Sequence, residues 1–186
     1  MSGRLAAHAS VNEACDDSAC AALTTLLEQL REVMTLLPVE VYRAQPAARV
    51  SGSIGAHVRH ALDHVSALLV AVEGGDLQYD HRARGTTLEI DPVTAVGEIE
   101  RLLYRLDRRV PGVTERPLTF STLVLPDRPA ALVHSSLARE LAFVIQHTIH
   151  HCALIALLLE WQGQRTPYGF GVAPSTLQAR ARARAS

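Results

Sequence analysis

Apolar residues recur at spacings of three and four over four stretches of the chain. Leu23, Leu26, Leu27, Leu30, Val33 and Leu37 predict an amphipathic helix over residues 18–37, which Pro38 ends. Ile54, Val58, Ala61, Val65, Leu68, Leu69 and Val72 predict a second helix over 53–73. Ser51 or Ser53 can cap its start, and Gly74–Gly75 stop it. Asp91–Pro92 reads as an N-cap followed by a first-turn proline, and Val93, Val96, Ile99, Leu102, Leu103 and Leu106 carry a third helix to about Arg109. The last helix opens near Ser135 or Ser136, with Glu140 in the capping-box region, and runs to about Gln162 before Gly163.

Between the third and fourth helices the pattern changes. Residues 116–134 are rich in β-branched side chains and flanked by prolines, which predicts one or two short strands or an extended loop. The expected fold is all-α: a four-helix bundle with long loops and a short extended segment before the last helix. Residues 1–17 are small, polar and acidic and read as a disordered tail, residues 18–177 as the bundle, and the Arg/Ala alternation of 178–186 as a flexible end.

Composition narrows the functional classes. With 18 basic and 19 acidic side chains the net charge is close to zero, so no basic surface invites nucleic acid. All the basic side chains are arginines. Three cysteines, Cys15, Cys20 and Cys152, make no disulfide framework and fit a reducing cytoplasm. The N-terminus lacks the apolar core of a signal peptide. Leu141–Trp161 is long enough to cross a bilayer, but Gln146 and three histidines interrupt it, and no membrane role is expected.

Those histidines carry the chemistry. Six of the chain's nine lie in two groups, "HVRHALDH" on the second helix and "QHTIHHC" on the fourth. His147 and His151 are related as i and i+4, so they share a face and their imidazoles can converge on one cation. His150 stands to the side of that pair. His57, His60 and His64 fall within about 60° of helical arc, on one border of the apolar stripe. Ligands from two packed helices can hold a metal between them. The stripe itself favours His57 or His64 over His60. The frame H-E-x-x-H is absent, because Thr148 follows His147.

Two motifs resemble those of the DinB superfamily, the DinB/YfiT-like metalloenzymes. In "SIGAHVRHALDH" the matching positions are Ser53, Ile54, Gly55, His60 and Asp63; in "HTIHHCALI" they are His147, His150 and His151. The resemblance covers about residues 20–177. It implies a divalent metal, zinc, nickel or iron, held by His60, His147 and His151, with His64 and then His57 in reserve. Characterised members include thiol-dependent transferases and isomerases that use low-molecular-weight thiols. The resemblance thus implies a metal-dependent enzyme acting on a small molecule, with an S-transferase as the specific expectation. The alternative is a non-catalytic metal-binding or interaction protein with a structural metal.

Four further residues complete the expectations. Glu140 lies two turns before His147 and is the candidate general base. Arg82 and Arg84 are candidates to clamp an anionic group of substrate or thiol. Cys152 points away from the histidine face and reads as a packing thiol. A homodimer is compatible with this architecture.

Overall fold

The structure, a computed structural model, describes residues 2–45, 51–80, 85–108 and 116–185, with the side chains of the first helix described from Ser18 onward. In chain order the elements are α1 (Ser2–Thr35), α2 (Val39–Arg43), α3 (Ile54–Val72), a 3-10 turn (Thr87–Glu89), α4 (Pro92–Asp107), β1 (Pro117–Thr122), β2 (Ala131–Ser136), α5 (Leu137–Trp161) and α6 (Pro174–Ala185). The fold is mostly helical, with one two-stranded antiparallel hairpin.

The caps expected from sequence form. Ser53 Oγ accepts from the Ala56 amide at the start of α3, Asp91 accepts from the Val93 and Thr94 amides at the start of α4, and Ser136 Oγ accepts from the Arg139 amide at the start of α5. Each satisfies a backbone donor that has no partner inside the helix. Pro92 occupies the first turn of α4, where its missing amide costs nothing.

The long helices pack pairwise: α1 on α4 and α5, and α3 on α4 and α5. Leu23, Leu27 and Leu30 of α1, Ile54, Val58 and Val65 of α3, Ile99 and Leu102 of α4, and Val144 and Ile155 of α5 are fully buried in one continuous core. Each such side chain stabilises the fold by roughly 1.5–3 kcal/mol relative to exposure. α5 has the length and apolarity of a membrane span, yet half of its most apolar window is buried inside this fold. Its greasiness belongs to a helix with neighbours on several sides.

Helix is found beyond the four expected stretches in three places. α1 reaches back to Ser2, through the stretch whose composition suggested a tail. After Gly3 that stretch has no proline or glycine to interrupt a helix. The Arg/Ala end is likewise helical: Pro174 starts α6, and Arg and Ala are both strong helix formers, although no side chain of α6 is buried. The connection after Pro38 contains α2, with Tyr42 fully buried.

Two glycines mark close approaches. A Cβ on Gly55 would lie 2.0 Å from the Glu89 carbonyl oxygen and 2.6 Å from Tyr42, so only glycine lets the 3-10 turn and α2 seat on the start of α3. Gly171, at φ +71°, sits against the α5 backbone at Cys152–Ala153, with Phe170 buried beside it. The segment "FGVAPSTL" is therefore a clasp on α5. The hairpin aims α5 in turn. Pro117 pairs with Ser136, the residue that both ends β2 and caps the helix.

Candidate metal centre

The buried seam between α3 and α5 brings together histidines from both sequence clusters. His57 and His64 of α3 and His151 of α5 are buried, while His60 and His147 are half-buried. Helical spacing explains this. His57, His60 and His64 lie along the side of α3 that meets α5, and His147 and His151 stack one turn apart on the side of α5 that meets α3. His150 is exposed, beside that face, as its rotation predicted.

Two cross-helix contacts define the cluster. Nε2 of His60 and Nε2 of His147 face each other at 3.1 Å. Nδ1 of His57 and Nδ1 of His151 also face each other at 3.1 Å. In each contact one ring nitrogen carries the proton and the other accepts it. His64 donates from Nδ1 to the carbonyl of His60, 2.9 Å away on its own helix, which leaves the ring's lone pair on Nε2. One nitrogen from each of His60, His64 and His147 lies within 4.8 Å of the other two, so this trio can hold a metal ion. His151 lies close by, its ring centroid 4.6 Å from those of His60 and His147.

The donor set fits a divalent cation. Two imidazole nitrogens bound to one tetrahedral zinc at about 2.0–2.1 Å stand roughly 3.3 Å apart. The His60–His147 separation of 3.1 Å is near that value. Burial also favours neutral, ligating imidazoles. It holds His151 down at about 3, with the nearby His147 and His57 rings acting in the same direction. His57 is lowered too, chiefly by burial, against an opposing pull from the Ser51 backbone; its Nε2 is buried without a well-aligned partner.

An aromatic wall flanks the cluster. Tyr79 stacks on His64 with centroids 5.0 Å apart and planes 14° from parallel, and Phe143 stacks on His147 at 5.5 Å. Phe120 of β1 meets Tyr79 edge-on. Glu140 reaches the cluster through this wall. Its Oε2 accepts from the Tyr79 hydroxyl at 2.9 Å and its Oε1 from Ser135 at 2.6 Å. Both carboxylate oxygens are thus occupied, and Glu140 anchors the ring that packs on His64. Burial, with the Glu140 charge next, raises the Tyr79 hydroxyl far above its ordinary range, so it stays a donor. Sequence reasoning passed over Tyr79. Its one signal was a lone aromatic side chain in the polar loop "DLQYD".

The other expected residues fall as follows. Arg82 and Arg84 lie outside the described residues. Cys152 is buried behind His151, and burial pushes its thiol up to about 12, which suits packing and not nucleophilic attack. Asp63 pairs with Arg59 at 2.6 Å, and the same guanidinium lies 2.6 Å from Glu89, as an ion pair and not an aligned hydrogen bond. This bridge fastens the 3-10 turn to α3 one helical turn beyond Gly55, on the same face. A depression of about 590 Å³ opens near the wall, between the 76–80 loop and the hairpin, bordered by Asp76, Gln78, Phe120 and Leu132 among others.

Comparison with known proteins bears on this cluster. A family model described as the DinB superfamily matches residues 22–155, a span that contains all five clustered histidines. A protein of the fungus Rhizopus delemar called FK506-binding protein 5 is 34% identical over 103 residues, which are 55% of this chain and 27% of that protein. The chain thus spans about a quarter of the length of that relative. No solved structure matches.

Proposed function

This chain belongs to the DinB superfamily, and from that premise we propose that it binds a divalent cation between α3 and α5 and uses it for chemistry on a small molecule. One observation carries the reading: Nε2 atoms from two different helices meet at 3.1 Å beside a third imidazole, in a seam that is otherwise lined by aliphatic side chains. The closed ring of contacts among α1, α4, α3 and α5 supports reading the architecture as a four-helix bundle with the centre in one of its seams.

His60 and His147 form the core pair, and the third imidazole comes from His64 or His151. When bound, the cation would supply Lewis acidity and would favour the ionised form of a water or thiol at its remaining position. Zinc, nickel and iron(II) all suit imidazole ligands. The chain's own groups have distinct tasks. The His60 carbonyl fixes the His64 tautomer. Tyr79, Phe120 and Phe143 exclude water from one flank, which strengthens electrostatic interactions there. Glu140 holds Tyr79 in place.

A low-molecular-weight thiol attacking a small electrophile is the first reaction to assay, and a cytoplasmic setting goes with it. Elemental analysis of the untagged protein tests the premise. We expect about one divalent metal per chain, reduced at least tenfold in His60→Ala and in His147→Ala. Equal metal content in wild type and both variants would sink the reading. Turnover of thiol and electrophile that survives a chelator would leave the metal site but remove its role in catalysis.

A further inference from the structure

We propose that the outer edge of β2 pairs with the same edge of a second copy of this chain, joining two hairpins into one four-stranded antiparallel sheet. The register of the hairpin decides which backbone groups are free to do this. The Leu137 amide donates to the Arg116 carbonyl at 3.0 Å, and these two residues continue the register in which Pro117 faces Ser136. In an antiparallel ladder, pairs that exchange hydrogen bonds alternate with pairs that do not. The bonded pairs are therefore Leu118 with Ser135, Phe120 with Val133 and Thr122 with Ala131. Pro117, which has no amide proton to give, falls at an unbonded position. By the same alternation, the amide and carbonyl of Leu132 and of His134 point away from β1.

The two edges of the hairpin differ. On the β1 side Asp80 accepts from the Leu123 amide at 2.8 Å, so a side chain of the 76–80 loop occupies that edge. On the β2 side, no group among the described residues bonds to the outward amides of Leu132 and His134. Leu132 is 65% exposed there, and Leu123, Val124 and Leu125 expose further apolar surface at the adjoining turn. β2 itself, "ALVHSS", has no proline, lysine or acidic side chain to blunt it. An open edge of this kind is a template for another strand.

A second copy fits the edge by symmetry. A two-fold axis at Val133 sets Leu132 of each copy opposite His134 of the other, and these two pairs exchange four backbone hydrogen bonds. Val133 then faces the second copy's Val133 as an unbonded pair, the kind whose side chains lie closest. The two Leu132 side chains become diagonal neighbours on the outer face, within reach of each other. Charge is complementary as well. The same register carries the exposed Asp127 of the turn toward the second copy's Arg139, exposed in the first turn of α5, once at each end of the joint.

Sedimentation equilibrium of the untagged full chain is the test, over concentrations on either side of the micromolar dissociation constant expected of so small a joint. We expect a reversible dimer. Leu132→Pro removes an outward amide and no bond of the β1–β2 ladder, and should weaken the dimer by at least about tenfold. Leu132→Glu sets two carboxylates across the axis and should do the same. A gain of signal guards against variants that merely misfold. Val133→Cys, in a Cys15→Ser background that leaves only the two buried native cysteines, should form a disulfide-linked dimer under mild oxidant. An unbonded antiparallel pair holds its Cα atoms about 4.5 Å apart, inside disulfide range. Leu157→Cys, on the exposed side of α5, should stay unlinked in the same background. A wild type that is monomeric throughout, a dimer indifferent to both Leu132 variants, or a link that forms through Leu157→Cys and not through Val133→Cys would each overturn the pairing.

Discussion

The seam between α1 and α4 and the seam between α3 and α5 are built from the same helical periodicity and serve different ends. Every described buried side chain of α1 is apolar, from Cys20 and Leu23 to Met34, and so is every buried side chain of α4. The α3–α5 seam buries His57, His64, Glu140, Thr148 and His151 among its aliphatic residues. Burying a polar group costs free energy unless it is hydrogen-bonded. Most of these groups therefore have partners: Thr148 donates to the Val144 carbonyl, Glu140 accepts two hydroxyls, and the imidazoles face one another. One seam holds the fold together. The other spends part of its packing on positioned nitrogen atoms.

Acid should separate the two most strongly. His151 has its folded pKa near 3, well below its ordinary value of 6.5. Above about pH 6.5 the ring is neutral whether folded or unfolded, and the shift costs nothing. As pH falls from 6.5 toward 3 the unfolded chain takes up a proton that the fold refuses, so stability is lost across that window. For this residue the loss is up to about 5 kcal/mol, an upper bound because part of the shift depends on charged neighbours. Urea unfolding of the metal-free protein at pH 7 and pH 5 should show the decline. His151→Leu should flatten it. An unchanged slope in that variant would show that the histidine seam is not the acid-sensitive one.

A cut in the apolar seam should act the opposite way. Ile99→Ala removes a fully buried side chain of α4 and should cost about 2–5 kcal/mol at any pH, while leaving metal affinity within a few-fold of wild type. Loss of metal in that variant, measured at a temperature where it remains folded, would mean that the two seams are not separable. The smallest effect belongs to the surface. Arg105 grips Glu73 through two bonds of 2.9 Å, but the Glu73 side chain is 57% exposed. Arg105→Ala should cost less than about 1 kcal/mol, and high salt should erase the difference.

Much of this was legible along the chain. The four long helices, their caps at Ser53, Asp91 and Ser136, and the stop at Gly163 follow from periodicity and local hydrogen bonding, which act within a few residues. The i, i+4 relation of His147 and His151 and the near alignment of His57, His60 and His64 follow from the turn of a helix. α2 and α6 were missed. α2 is only five residues long and depends on the burial of Tyr42, and α6 has no apolar stripe to announce it.

The sequence by itself determined that two helices carry histidines on faces able to meet, because side-chain direction on a helix is set by residue number. It could not determine how far one helix slides and rotates against the other. That offset decided that Nε2 of His60 meets Nε2 of His147, that His57 takes Nδ1 of His151, and that Glu140 spends both oxygens on Tyr79 and Ser135. Gly55 and Gly171 are close approaches of the same kind, which let the 3-10 turn seat on α3 and the C-terminal clasp on α5. The difference between three candidate imidazoles on α3 and two defined cross-helix contacts at 3.1 Å is an ångström-scale matter of packing, and packing is settled only when all the elements are present at once.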